Sequence, residues 1–215
     1  MSLESSKNLG GIGAILILVG SLVTSYTFGI VDLIGVILVF IALNGLANYY
    51  HERGIFTNAI YSFVAGIVGV VAAAAAALYI IFDTNTLTKL IRDIYPTWNG
   101  SWSTLSSLRG MTPATSNIPM GDITSALGAL FLVLVVLWIF AIVAAFFARR
   151  SLKTLSAKAS VGLFSTGALL LIIGAFLTII FIGVILMWIA ALLIAIAFFQ
   201  IKPQPEQPAA TMAPS

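Results

Sequence analysis

The chain is 215 residues long, 60% of them hydrophobic and only 8% charged, with a formal net charge of +3. A soluble domain carries roughly a quarter charged residues, so the composition excludes a water-soluble fold and makes lipid the solvent for most of the surface. Cysteine is absent, which excludes disulfides and thiolate metal sites, and the small positive excess gathers beside apolar segments, where it orients spans and does not grip nucleic acid.

In chain order, six apolar segments approach the ~20 residues that a helix needs to cross a bilayer. They are Leu9–Phe28, Val31–Tyr50, Ile55–Phe82, Ile123–Ala148, Ala159–Ile179 and Phe181–Ile201. The expected fold class is all-α: a polytopic membrane helix bundle of about six transmembrane helices filling residues 1–201, followed by a disordered Pro-rich cytoplasmic tail over 202–215.

The first span follows Lys7 and has the outline of a signal peptide. The last pair of spans copies the first pair, and a copy near the C-terminus cannot be a signal, so the first span is expected to be retained. Gly10-Gly11-Ile12-Gly13 matches part of a phosphate-binding loop, but the strand before it and the lysine after it are missing. Glycines there serve close helix approach instead.

Asp32 opens the second span and is expected to cap its N-terminus, accepting orphan amide hydrogen bonds, a role preferred over ion transport. His51 and Glu52 form the one His–carboxylate neighbourhood. A catalytic or metal centre needs further ligands converging on them, and no second histidine exists. They read as a solvated turn, so no catalytic residue, cofactor or metal set is assigned and the chain is expected not to be an enzyme. Asn44, Asn48, Asn58 and Tyr61 suit interhelical hydrogen bonds better than a polar cavity. In the third span Ser62, Gly66, Gly69, Ala73 and Ala76 form a narrow ridge.

The loop over 83–121 is the one substantial segment outside the spans. Leu87, Leu90, Ile91 and Ile94 follow helical spacing and predict a short amphipathic helix that ends at Pro96. Trp98 and Trp102 suit a membrane interface, where the ring is buried and the N–H stays wet. The remainder, rich in Ser, Thr, Pro and Gly, is expected to be irregular. Asn99-Gly100-Ser101 matches an N-glycosylation acceptor.

The fourth span is bulky from Phe131 to Phe147 and is expected to face lipid. Arg149, Arg150, Lys153 and Lys158 are expected in a short loop after it. With Arg53 and Lys202 they fall on the side of both termini, and the positive-inside rule makes that side cytoplasmic in a multi-pass protein of the cell membrane.

The fifth and sixth spans copy the first pair. Gly13-Ala14-Ile15-Leu16-Ile17-Leu18-Val19-Gly20-Ser21-Leu22-Val23-Thr24 returns as Gly167-Ala168-Leu169-Leu170-Leu171-Ile172-Ile173-Gly174-Ala175-Phe176-Leu177-Thr178, and Ile34-Gly35-Val36-Ile37-Leu38 returns as Ile182-Gly183-Val184-Ile185-Leu186. An even number of spans separates the copies, so the repeat is parallel, unlike the inverted repeats common in transporters. Lipid supplies no hydrophobic force between helices, so small residues that admit close backbone approach carry the packing. The expected helix-packing set is Gly13, Gly20, Thr24, Gly66, Gly69, Gly167, Gly174 and Thr178.

Leu9-Gly10-Gly11-Ile12-Gly13-Ala14, the following Gly20 and the Gly-rich hairpin near the C-terminus resemble an archaeal family of uncharacterised multispanning membrane proteins. The resemblance covers Lys7 to Ile201, implies an archaeal origin and supplies no site residues. From the residues alone, the favoured function is a noncatalytic scaffold, assembly or envelope-stress component. The alternative is a channel or facilitator for a small neutral solute, lined by Asn, Ser and Thr. Expected partners are the lipid bilayer and either another membrane protein or a second copy of the chain, with no nucleic acid.

Overall fold

The computed structural model describes residues 2–27, 29–82, 86–114 and 119–203; the side chains of Thr24, Ser25, Phe82 and Thr86 and most of the Pro-rich tail lie outside the description. The helices are α1 (Leu3–Thr27), α2 (Ile30–Tyr49), α3 (Arg53–Phe82), α4 (Thr86–Ile94), α5 (Met120–Ala159), α6 (Gly162–Leu177) and α7 (Ile182–Phe199). Two 3-10 segments, Trp102–Gly110 and Thr178–Ile180, complete the order. Every helix but α4 belongs to a segment long and apolar enough to cross a membrane. The fold is an all-α polytopic membrane helix bundle.

The chain divides into two compact units. The first, Met1–Phe63 with Ala144–Ser215, contains α1, α2, α6, α7, the start of α3 and the end of α5. Here α1 packs against both α2 and α7, and α6 packs against α7. Leu46, Ile55, Leu155, Phe164 and Phe198 are fully buried, and the Phe164 and Phe198 rings meet edge to face at 5.0 Å. Two serines tie α3 to α5: the Ser62 hydroxyl donates to the Ala144 carbonyl at 2.8 Å and the Ser151 hydroxyl to the Ile55 carbonyl at 2.6 Å.

The second unit, Val64–Val143, holds the rest of α3, α4 and the first part of α5. Leu87, Leu90 and Ile94 of α4 line an apolar cavity of about 460 Å³ with residues of α3 and α5, while Lys89 and Arg92 are exposed. The short helix is thus amphipathic, as its spacing predicts. Leu127, Leu130, Phe131, Leu132 and Leu134 of α5 are all more than half exposed, an apolar surface that only lipid solvates well.

Two turns end helices in the same way. After α2, the Glu52 amide donates to the Ala47 carbonyl at 2.9 Å and the His51 amide to that of Asn48 at 3.3 Å, with His51 left-handed at φ 51°. This is the Schellman arrangement, which satisfies carbonyls orphaned at a helix end. After α5, Ser160 takes φ 54° and the Val161 amide reaches the Ser156 carbonyl at 3.2 Å.

Three expectations need correction. The basic residues Arg149 to Lys158 do not form a loop; they are the last turns of α5, which runs 40 residues, about 60 Å. No glycine or proline interrupts the stretch, and Leu152 and Leu155 bury a stripe that holds it helical. The loop after Pro96 is not wholly irregular, since residues 102–110 wind into a 3-10 helix. Trp98 is 3% exposed, so its N–H is not wet: it donates to the Thr104 hydroxyl at 3.1 Å, with the ring edge to face against Trp102.

Candidate functional site

Glycines set the closest helix crossings. A Cβ on Gly13 would lie 2.7 Å from the Gly35 carbonyl oxygen, and one on Gly35 equally close to that of Gly13, so α1 and α2 touch backbone to backbone. Next along the seam, Gly20 lies against Asp32. In the second hairpin a Cβ on Gly174 would stand 2.9 Å from the Gly183 carbonyl oxygen, and one on Gly167 would stand 2.9 Å from the Ile194 side chain. Gly10 and Gly11 accept the rings of Phe198 and Phe199 where α1 meets α7, and in the second unit Gly69 accepts Phe140.

Gly66 departs from the expected set, because a Cβ there would meet nothing within 4 Å. The Thr178 hydroxyl donates to the Gly174 carbonyl of its own turn at 2.7 Å, and the side chain of Thr24 lies outside the described residues.

Within the first unit, residues from all six apolar segments surround a cavity of about 320 Å³. Phe40, Leu43, Phe63, Leu171, Ile194 and Phe198 give it an apolar wall. Ser62 and Ser151 are its two polar side chains, and both hydroxyl protons are spent on backbone carbonyls. A buried polar group already satisfied in this way offers little to a passing solute.

The other polar residues singled out in the sequence stay apart from this cavity. Asp32 is not the cap of α2: Gly29 holds that position with φ 76°, and Asp32 sits in the first turn, where the positive helix end favours a carboxylate. Asn44 and Asn48 are exposed, the Asn58 amide donates to the Gly54 carbonyl of its own helix at 2.7 Å, and Tyr61 packs edge to face on Phe147. These four neither line a polar cavity nor bond between helices through the contacts described, because each finds the exposed surface of its span, its own backbone or a ring. Glu52 pairs with Lys158 at 3.3 Å, joining the turn after α2 to the end of α5.

Outside the spans, the Asn99 side-chain oxygen accepts the Ser101 amide at 3.0 Å and the Thr104 hydroxyl at 2.7 Å. In α4, burial and then the neighbouring Asp122 carboxyl push the Asp93 carboxyl above the ordinary carboxylate range, against the lowering influence of Arg92 and Lys89. Among the described residues no group of three metal-ligating side chains converges.

Glycine-seamed hairpins around an apolar interior define a polytopic membrane helix bundle held by close backbone packing. The chain belongs to the DUF996 family, described as proteins of unknown function, whose pattern matches residues 31–192. It is 26% identical over 201 residues to an uncharacterised protein of Methanocaldococcus jannaschii, a match covering 94% of each chain. No solved structure matches it. The expected resemblance to an archaeal family of unknown function is borne out at that level.

Proposed function

We propose that the chain is a noncatalytic membrane component, a scaffold or assembly factor that works through its packed spans and the surfaces it presents outside them. The observation that carries this reading is the cavity itself: all six apolar segments contribute to it, and its two hydroxyls are committed to backbone carbonyls. A facilitator for a neutral solute needs donors and acceptors free to replace the solute's water, and the wall described holds no free side-chain donor. The basic end of α5 supports an orientation with both termini in the cytoplasm of a cell-membrane protein. Residues 83–121 would then face outward, with Asn99 open to N-glycosylation in a host that has the machinery. The sequence match between the two hairpins supports their origin as a parallel repeat.

Solute flux tests the reading. Proteoliposomes carrying the full chain are mixed with a glycerol or urea gradient, and shrinkage and reswelling are followed by light scattering. The expected reswelling rate equals that of protein-free liposomes. Faster reswelling that returns to the lipid baseline on Ser62→Phe would overturn the scaffold reading in favour of a facilitator.

A further inference from the structure

At the basic end of the first unit, Arg149 and Lys153 of α5 and Ser165, Thr166 and Leu169 of α6 line a cavity of about 210 Å³. The two cations are one turn apart on one face of α5. Neither has an ion-pair partner among the described residues, whereas nearby Lys158 pairs with Glu52 and Arg150 stacks over the Phe146 ring at 4.6 Å. The Ser165 hydroxyl is exposed and has no hydrogen bond among the described residues. The Thr166 hydroxyl donates to the Gly162 carbonyl of its own helix at 3.4 Å, so the two cations without ion-pair partners among the described residues and the Ser165 hydroxyl are the groups that favour an anion with several acceptor oxygens.

Depth selects which anion. From Ile123 to Ala148 the sequence of α5 carries no charge, and Arg149 is the first charged residue after that run. Arg149 therefore stands where hydrocarbon gives way to headgroups, the level of the lipid phosphates. Ser165 and Thr166 lie in the first turns of α6, and Leu169, 44% exposed, extends the same wall toward the apolar interior of the span. A water molecule takes roughly 30 Å³, so the cavity has room for a phosphate group and is small for a nucleotide. Basic pockets between transmembrane helices are known to hold anionic lipid headgroups.

We infer that Arg149, Lys153, Ser165 and Thr166 form a binding site for the headgroup phosphate of an anionic phospholipid, whose chain leaves along Leu169. The guanidinium and ammonium groups hold the phosphate oxygens, the Ser165 hydroxyl orients it, the Thr166 side chain closes the wall, and Leu169 contacts the first methylenes of the chain. The site does not depend on the scaffold reading, because a facilitator could carry it equally well.

Native mass spectrometry of the full chain in detergent counts bound lipid directly. Phosphatidylglycerol, phosphatidylcholine and inorganic phosphate are titrated separately, and inorganic phosphate is also added against bound phosphatidylglycerol. Each cation is worth about fivefold in affinity, so Arg149→Gln with Lys153→Gln should weaken phosphatidylglycerol roughly thirtyfold, while Arg150→Gln, off the cavity, changes it by less than about twofold. Ser165→Leu, which fills the cavity and keeps both charges, should also weaken binding. Wild-type affinity in the double variant overturns the site, as does an equal loss in Arg150→Gln, which would mean diffuse attraction. Displacement of the lipid by inorganic phosphate at comparable affinity would make it a site for a soluble phosphate compound and overturn the lipid assignment.

Discussion

Replacing Gly13 by alanine perturbs the α1–α2 crossing and little else. The new Cβ would sit 2.7 Å from the Gly35 carbonyl oxygen and 2.9 Å from both the Leu38 Cβ and the Val39 amide nitrogen. Two of these are backbone atoms, so no side-chain rotation relieves the clash, and the helices must part. Moving from 2.7 Å to the 3.4 Å of ordinary contact opens about 0.7 Å. A gap of that size forfeits a quarter to a half of each atomic contact, worth about 0.1–0.2 kcal/mol, which over the ~40 contacts of a helical seam comes to about 2 kcal/mol. Alanine returns up to about 1 kcal/mol through its better helix propensity. Gly66→Ala receives the same propensity gain with nothing within 4 Å to strike. The difference between the two variants therefore isolates the crossing. Gly13→Ala should be destabilised by about 1 kcal/mol and Gly66→Ala stabilised by about 0.5–1 kcal/mol. Denaturant unfolding in detergent, followed by circular dichroism, reads both. Equal effects at the two positions would refute the argument that backbone contact at Gly13 holds the hairpin.

The Ser151→Ala variant loses the hydroxyl that bonds the Ile55 carbonyl; a cost of about 0.6–1.7 kcal/mol in the same unfolding assay is expected, as for other interhelical bonds in membranes. Phe181 caps α7 at φ 63° with its ring 80% exposed; Phe181→Gly should raise stability by about 1 kcal/mol through released left-handed strain, and a loss would show that the ring holds the crest. Because the Asp93 carboxyl is pushed up by burial and by Asp122, the folded state holds its proton more tightly than the unfolded one. The stability this gives is complete below the ordinary carboxylate range and is lost as pH rises through the raised value. Protection of the backbone amides over residues 86–114, taken as exchange relative to the intrinsic rate at each pH, should therefore be greater in acid than at neutral pH, and Asp93→Asn should abolish the difference. Asn99 should carry a glycan in a glycosylating host, and an unmodified Asn99 peptide from such a host would contradict its availability.

The spans were legible because uninterrupted apolar length is a direct demand of the bilayer. The extension of α5 was hidden by its charges. Arg149 to Lys158 reads as a loop when charge is taken to mark a span's end, although the absence of Gly and Pro and the placement of Leu152 and Leu155 carried a helical signal. Glycine partners were less legible still. Gly13 to Gly167 is 154 residues and Gly35 to Gly183 is 148, so the link in the second hairpin is six residues shorter. Its crest closes over Thr178–Ile180 with Phe181 left-handed, and Gly183 comes to face Gly174, whereas in the first hairpin Gly35 faces Gly13. Identical sequence thus meets a different neighbour, which only the length of the connecting turn decides. The cavity beside Arg149 was equally hidden, because it needs Ser165 and Thr166 to return next to α5 and nothing local to either segment announces that pairing.

Single-cysteine accessibility in intact cells tests most directly the claim that six helices cross the membrane and leave the basic end of α5 on the side opposite residues 83–121. The chain has no cysteine of its own, and Leu105 and Ala157 are both exposed. An impermeant thiol reagent should label Leu105→Cys in intact cells and Ala157→Cys only after the membrane is opened. Labelling of Ala157→Cys in intact cells, with Leu105→Cys protected, would contradict the account.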